Sequence, residues 1–120
     1  MLVEDDLALG HALKDHFERN NYQIIWAKDA DDAVANISVD VSLMFLDIKM
    51  PGSMDGFDLL KKIKDSASPY KEIEVIVLTN LGEIEEMDKA RDFGADDYII
   101  KSNIDLQKLL EYTIKKIGND

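Results

Sequence analysis

The sequence predicts an α/β protein in which helices cover both faces of a parallel β-sheet. Short apolar runs rich in Val and Ile alternate along the chain with stretches in which apolar residues recur every three or four positions. The runs mostly lack polar alternation, which is typical of strands buried on both faces of a parallel sheet. Because five strand-then-helix units follow one another, we expect right-handed crossovers that place helices on both sides of a single sheet.

The five predicted strands are the short apolar runs. In chain order they are Leu2-Val3, Tyr22 to Ala27, Val41 to Leu46, Ile73 to Leu78 and Tyr98 to Ile100. The first run is short, because only Met1, Leu2 and Val3 precede a row of acids, and this suggests that residues upstream of Met1 are missing. In open sheets of this type ligands bind at the carboxyl ends of the strands, so the residues after each run are the first candidates for a functional site.

Each predicted helix follows a strand and has one apolar stripe at helical spacing. In order, the stripes consist of Leu9, Ala12, Leu13 and Phe17; Ala30, Ala33, Val34 and Ile37; Phe57, Leu60 and Ile63; Ile84, Met87 and Ala90; and Leu106, Leu109, Leu110, Thr113, Ile114 and Ile117. No linker, repeat or low-complexity segment interrupts the pattern, and the only stretch rich in Pro or Gly is the loop from Met50 to Gly56. We therefore expect one domain over residues 1–120, a length typical of single domains.

The composition argues against several classes of function. The formal net charge is -11, whereas nucleic acids and anionic membranes are bound through Lys and Arg, so we expect neither as a direct partner. Much of the acidity only keeps the protein soluble, but it also suits a cationic partner or a divalent metal. The absence of cysteine excludes disulfides and thiolate chemistry. No apolar run is long enough to span a membrane and no signal peptide opens the chain, so we expect a cytoplasmic protein.

Acidic residues follow two of the predicted strands. Strand one ends in Glu4-Asp5-Asp6, and Asp47 comes directly after the apolar run of strand three. If these strands are neighbours, the carboxylates converge, and two of them about 4 Å apart repel by about 4 kcal/mol at an effective dielectric near 20. Either a hard divalent cation such as Mg²⁺ or protonation of one acid would offset this repulsion.

A more ordinary role is also open to the first group of acids. Asp5 or Asp6 could cap the first helix, where an acid suits the helix dipole. That role does not explain Asp47, which ends a buried strand and is followed by Ile48-Lys49-Met50-Pro51-Gly52. A carboxylate in such a place needs a partner.

Strands four and five end in Thr79-Asn80 and in Lys101. Taken alone, a Thr after a strand is usually a turn or cap residue, and a Lys is usually a solvated surface charge. Together with the acids they put a hydroxyl and an ammonium group at successive strand ends. This set suits a tetrahedral anion held beside a metal ion, because the cations neutralise the anion and the hydroxyl donates to it.

In these residues the chain resembles the receiver domain of response regulators of two-component signalling systems. The resemblance covers essentially the whole chain in order, and its specificity comes from the combination of segments. The matching segments are Leu2 to Asp6, Leu46 to Gly52, Asp55-Gly56, Val77 to Thr79 and Gly94 to Lys101. The resemblance implies a flavodoxin-like (βα)5 three-layer sandwich whose central five-stranded parallel sheet has the order 2-1-3-4-5.

The resemblance also implies the chemistry of the site. Asp47 would be the phosphoacceptor, taking a phosphoryl group from a phosphohistidine of a sensor histidine kinase or a phosphotransfer protein. Mg²⁺ would bind to Asp5, Asp47 and the backbone carbonyl of Lys49. Glu4 would act in the same acid pair through metal-bound water.

The resemblance further implies a switch rather than a turnover enzyme. Lys101 would pair with Asp47 and then with the phosphoryl group, Thr79 would bond a phosphoryl oxygen, and Tyr98 would rotate inward as the switch aromatic. Such a chain catalyses only its own phosphotransfer and dephosphorylation. Its surface of helix four, strand five and helix five would change to control an effector protein or an output domain missing here, and a homodimer through that surface is a further expectation.

Three features depart from the family pattern. Ser102 stands where the family usually has a proline after a cis bond, and a cis Lys101–Ser102 bond would cost about 2.5–4 kcal/mol, so we predict a trans bond with a rebuilt loop. Asn80 stands where a very small residue is common, and it should narrow access to the site. The loop Pro51 to Gly56 has one extra residue. None of these changes replaces an acid.

Other functions fit the residues less well. The main alternative is a receiver-like binding module that works without phosphorylation, but the complete acid, hydroxyl and ammonium set argues against it. A haloacid-dehalogenase-type phosphatase would need a second Asp two residues after the nucleophile, where this chain has Lys49. A flavodoxin would need a hydroxyl-rich phosphate loop after strand one, where Glu4-Asp5-Asp6 would repel the flavin phosphate.

Overall fold

The computed structural model describes residues 1–118 and has the α/β architecture that the sequence predicts. Its strands are β1 (Leu2–Val3), β2 (Trp26–Ala27), β3 (Leu43–Asp47), β4 (Glu74–Thr79) and β5 (Asp97–Ile100). Its helices are α1 (Leu7–Arg19), α2 (Ala30–Asn36), α3 (Gly56–Lys64), α4 (Met87–Asp92) and α5 (Leu106–Lys116), with 3₁₀ segments at Leu81–Glu86 and Lys101–Asn103. All neighbouring strands are parallel in the order β2-β1-β3-β4-β5, which confirms the expected order.

The sheet separates two hydrophobic clusters, because successive side chains of a strand point to opposite faces. Along β3, Leu43 and Phe45 pack with residues of α1 and α5, while Met44 and Leu46 pack with residues of α2, α3 and α4. Both faces are therefore covered, as the lack of polar alternation in the strands predicts. Among the helices of residues 1–118, none is long and apolar enough to cross a membrane.

Several predicted details of these elements are wrong. β2 pairs only over Trp26–Ala27 rather than over residues 22–27, because β1 offers only Leu2 and Val3 as partners. The fourth helical region starts as the 3₁₀ segment Leu81–Glu86, and α4 follows it; the side chain of Ile84, placed in the fourth stripe, lies outside the described part of the chain.

Two stripe residues are also exposed rather than buried. Ala12 is exposed because α1 turns Gly10, Leu13 and Phe17 toward the sheet, and Gly10 lies against the indole of Trp26. Val34 is exposed because α2 buries only its small residues, Ala30 and Ala33. In both helices the buried face is thus narrower than the apolar stripe.

Aspartates begin four of the five helices. At each of these N-termini the side chain accepts backbone N–H groups of the first turn; the caps are Asp6, Asp29, Asp55 and Asp105. Asp6 therefore has the capping role that the sequence leaves open between Asp5 and Asp6. The remaining acids of strand one, Glu4 and Asp5, need another explanation.

Gly56, the first residue of α3, lies directly against the end of β3. A Cβ at this position would be 2.3 Å from the Cα of Ile48 and 2.5 Å from the carbonyl oxygen of Asp47. Both are backbone atoms, so they cannot move aside without displacing the chain. We expect Gly56→Ala to lower the free energy of unfolding by about 1–3 kcal/mol and to displace the end of β3. Urea unfolding would measure the loss. The control is Gly82→Ala, where a Cβ meets nothing within 4 Å and the change should stay within about 1 kcal/mol; equal losses would contradict the packing argument.

Candidate functional site

The carboxyl ends of three strands bring Glu4, Asp47 and Lys101 together. β1 and β3 are neighbours in the sheet, so Glu4 and Asp47 lie side by side, and both are buried. Lys101 follows β5, and its Nζ donates to Asp47 Oδ2 at 2.9 Å and to Glu4 Oε2 at 3.2 Å. The same Nζ lies 2.9 Å from Glu4 Oε1. The convergence that the sequence predicts for these residues is therefore present, with the ammonium group between two carboxylates.

Asp5 completes a group of acids that could hold a metal ion. Glu4, Asp5 and Asp47 each offer one carboxylate oxygen, and these oxygens lie within 4.8 Å of one another. Glu4 Oε1 is buried and, although close to Lys101 Nζ, accepts no hydrogen bond within residues 1–118. A buried carboxylate oxygen with an unused lone pair beside an exposed acid suits a hard divalent cation that keeps part of its water, as Mg²⁺ does. The residues present therefore fit the metal that the sequence predicts.

Burial raises the pKa of both carboxyl groups beside Lys101. The pKa of Glu4 is raised to about 7, mainly because burial disfavours its charged form. The hydrogen bond from Lys101 to Glu4 opposes this effect. Burial also raises the pKa of Asp47 against the hydrogen bond from Lys101. For Lys101, burial works to lower the pKa, but the hydrogen bonds to Asp47 and Glu4 outweigh it, so the pKa is raised and the group stays an ammonium ion. Without metal, the site therefore favours a proton on the Glu4–Asp47 pair.

Thr79 and Lys49 border the same site. Thr79 ends β4 between β3 and β5, its side chain is buried, and its hydroxyl lies 3.1 Å from the Asn80 carbonyl oxygen and 3.4 Å from Glu83 Oε2. The backbone N–H of Lys49 donates to Asp47 Oδ1 at 3.0 Å, which fixes the rotation of that carboxylate. The Lys49 side chain points elsewhere, since its Nζ lies 3.0 Å from Glu86 Oε1.

The segment after β5 confirms one expectation about the backbone. The Lys101–Ser102 bond is trans, as predicted, and residues Lys101–Asn103 form a 3₁₀ turn from which the Lys101 side chain still reaches Asp47. Tyr98, the expected switch aromatic, is half-buried on β5, with the guanidinium carbon of Arg91 5.5 Å from its ring centroid.

Two residues near the site were missed by the reasoning from sequence. The indole N–H of Trp26, a residue of the second predicted strand, donates to the carbonyl oxygen of Glu4 at 2.9 Å. The side chain of Glu83, which follows β4, contacts Thr79 and Asn80. The sequence contains no signal for the Glu83 contacts, because they depend on a 3₁₀ segment where helical periodicity predicts an α-helix.

Curated proteins with similar sequences are response regulators. The transcriptional regulatory protein ResD of Bacillus subtilis is 32% identical over 102 residues, which cover 84% of this chain and 40% of ResD. The transcriptional regulatory protein CrdR of Helicobacter pylori is 32% identical over 123 residues, which cover 99% of this chain and 54% of CrdR. The chain therefore spans about half the length of these relatives, or less.

Solved structures share the fold over nearly the whole chain. The receiver domain of NtrX from Brucella abortus superposes with a TM-score of 0.84 at 27% identity, covering 99% of this chain and 98% of that domain. A CheY-like response regulator receiver domain protein from Methanospirillum hungatei has a TM-score of 0.83 at 29% identity, covering 98% of this chain and 90% of that protein.

The family described as the response regulator receiver domain matches residues 1–113. This match covers nearly the whole chain. The two solved receiver domains align with 99% and 98% of the chain. Relatives at 32% identity point to the same family. The chain thus belongs to the response regulator receiver domain family, the signalling domains of two-component regulatory systems.

Proposed function

We propose that this chain is a phosphorylation-activated switch in which Asp47 accepts a phosphoryl group from the phosphohistidine of a histidine kinase or phosphotransfer protein. The observation that supports this most directly is the environment of Asp47. Its carboxylate is buried at a strand end, lies 2.9 Å from the Lys101 ammonium, and shares a site with Glu4 and Asp5. A carboxylate that attacks phosphorus needs in-line geometry and charge neutralisation more than it needs acid-base catalysis.

The chain's own residues account for most of the transfer step. An oxygen of Asp47 forms a bond to phosphorus while the phosphorus–nitrogen bond of the phosphohistidine breaks, and the histidine nitrogen keeps the electron pair. The Lys49 N–H holds one Asp47 oxygen at 3.0 Å and so sets the direction of the other. Lys101 neutralises part of the charge on the phosphoryl oxygens. Mg²⁺ bound by Asp5, Asp47 and the Lys49 carbonyl, with Glu4 nearby, would neutralise the rest.

Phosphorylation would then change the face formed by α4, β5 and α5. The modification adds roughly 1.5 to 2 negative charges, if an acyl phosphate behaves like other phosphoryl groups. Shifting a two-state surface from 1:99 to 99:1 requires about 5.5 kcal/mol, more than one hydroxyl contact from Thr79 supplies, so Lys101 and the metal must contribute. Tyr98 lies on this face and is the proposed switch aromatic. The partners would be an effector protein or output domain, and a second copy of the chain is a further proposed partner of this face.

Acetyl phosphate with Mg²⁺ is expected to add the mass of one phosphoryl group to the protein, and chelation of the metal should prevent it. Asp5→Ala should weaken Mg²⁺ binding at least about tenfold in calorimetry, because Mg²⁺ relies on few direct protein ligands. Asp6→Asn is the matched control, since it removes the neighbouring charge and keeps a side chain that caps α1.

The outcomes distinguish a phosphorylation-activated switch from a binding module that works without phosphorylation. A Mg²⁺-dependent phosphoryl adduct supports the switch. A protein that acquires no adduct, and whose partner binding is indifferent to acetyl phosphate, would instead be a binding module that works without phosphorylation. If Asp5→Ala binds Mg²⁺ as well as Asp6→Asn does, the assigned metal ligands are wrong.

A further inference from the structure

The carboxylate of Glu83 lies against the two residues at the end of β4. Glu83 Oε2 is 3.4 Å from the Thr79 hydroxyl oxygen and accepts the Asn80 backbone N–H at 3.3 Å. Glu83 Oε1 accepts the Asn80 side-chain amide Nδ2 at 3.3 Å. Both oxygens of this carboxylate therefore face the strand end, although Glu83 belongs to the following 3₁₀ segment, Leu81–Glu86.

Asn80 explains how the carboxylate is held there. It supplies two of the three hydrogen bonds to the Glu83 carboxylate, one from its backbone N–H and one from its side chain. A very small residue at this position, as the family commonly has, could supply only the backbone contact. Asn80, which replaces the very small residue common in the family, therefore gives the Glu83 carboxylate one more hydrogen bond.

A phosphoryl oxygen would compete with Glu83 for the proton of the Thr79 hydroxyl. A hydroxyl has a single proton to donate, and the Thr79 side chain is buried, so water cannot easily replace a lost acceptor. In the present arrangement its acceptors are the Asn80 carbonyl oxygen and the Glu83 carboxylate. A donor shared with a carboxylate is held more strongly than one shared with a neutral oxygen.

We propose that Glu83 is a positioning residue that holds the Thr79 hydroxyl away from the phosphoryl site until Asp47 is phosphorylated. The inference rests on the proposed function, because it requires Thr79 to donate to a phosphoryl oxygen in the activated state. On phosphorylation, Glu83 would lose the hydrogen bond from the Thr79 hydroxyl. The free-energy cost of that lost hydrogen bond would lower the affinity of the site for a phosphoryl group.

The test measures the affinity for beryllofluoride, a mimic of the phosphoryl group on a carboxylate, in the presence of Mg²⁺. Trp26 is a suitable fluorescent reporter, since its indole N–H donates to the carbonyl of Glu4. Glu83→Ala should raise the affinity about fivefold, or roughly 1 kcal/mol, the net value of one ordinary hydrogen bond. Glu83→Gln keeps an acceptor without the charge and should give an intermediate affinity.

Two controls distinguish positioning from simple charge repulsion. Glu85→Ala removes the same charge from an exposed position of the same segment, and it should change the affinity by less than about twofold because salt screens exposed charges. In a Thr79→Ala background, Glu83→Ala should have no effect, because the hydroxyl that it releases is absent. If Glu83→Ala matches Glu85→Ala, or acts equally with and without Thr79, the positioning role is wrong.

Failure of this inference can be told apart from failure of the proposed function. A parent protein that binds no beryllofluoride with Mg²⁺ would contradict the proposed function and this inference with it. Binding without coupling between Glu83 and Thr79 would contradict the inference alone. The backbone amide resonance of Asn80 gives a direct check in the unphosphorylated protein: it should shift in Glu83→Ala and stay in place in Glu85→Ala, and an unchanged resonance would overturn the contact.

Discussion

Asp47→Asn is expected to abolish phosphorylation by acetyl phosphate while leaving the protein folded. The amide has no carboxylate oxygen to attack phosphorus, but it has nearly the same shape and can still accept from the Lys49 N–H and from Lys101. The free energy of unfolding of the metal-free protein should stay equal or rise, because burial already disfavours the charged form of Asp47 and raises its pKa. Intact-mass measurement after acetyl phosphate treatment and urea unfolding would check the two parts.

Asp55→Asn is a matched control for this substitution. Asp55 lies in the loop after β3 and caps α3, and Asn caps helices equally well, so the substitution removes a nearby charge and little else. We expect the control to be phosphorylated like the parent. A phosphoryl adduct on Asp47→Asn at the parent's level would show that the acceptor is another residue.

Lys101→Met is expected to destabilise the metal-free protein at pH 8 by about 3–5 kcal/mol, because it leaves two buried carboxylates without their cation. Both Glu4 and Asp47 are buried, and the Lys101 side chain is only 15% exposed, so water cannot replace the ion pairs. Added Mg²⁺ should restore part of the stability, since it would supply positive charge to the same acids. Urea unfolding with and without chelator would measure both effects.

The loss in Lys101→Met should also depend on pH. Burial raises the pKa of Glu4 from 4.5 to about 7 in the folded protein, so the folded state binds this proton more tightly than the unfolded chain does. The free energy of unfolding of the metal-free parent therefore falls as the pH rises from 4.5 to about 7, and it changes little above that range. Removing Lys101 takes away the hydrogen bond that lowers the Glu4 pKa, so the range extends to higher pH. The free energy of unfolding of Lys101→Met should accordingly be closer to that of the parent at pH 5.5 than at pH 8.

Lys49→Met provides the comparison for this experiment. Lys49 adjoins the site, but its side chain is 51% exposed and pairs with Glu86 at the surface. A surface pair contributes about 0–1 kcal/mol, so the substitution should change stability little at either pH. A Lys101→Met protein as stable as Lys49→Met at pH 8 without metal would mean that the buried acids do not depend on Lys101.

Local patterns in the sequence were enough to predict the fold class and to select most of the residues that converge at the strand ends. The unbroken apolar runs predict strands buried on both faces, and such runs are read residue by residue without knowledge of their neighbours. Asp47, Thr79 and Lys101 could be selected because each follows such a run, and strand ends meet at one edge of a parallel sheet. The strand order and the roles of these residues came from the resemblance to a family, since periodicity does not say which strands are neighbours.

Only the tertiary structure decided how the acids and the segment after β4 are used. Asp6 caps α1 whereas Asp5 joins Glu4 and Asp47, and adjacent acids in a sequence give no indication of this division. Glu83 reaches Thr79 and Asn80 because the chain after β4 winds as a 3₁₀ segment, which helical spacing cannot predict. The physical reason is common to both cases: a side chain's partner depends on the distance and direction between backbone segments, and packing sets these only when the whole chain has folded.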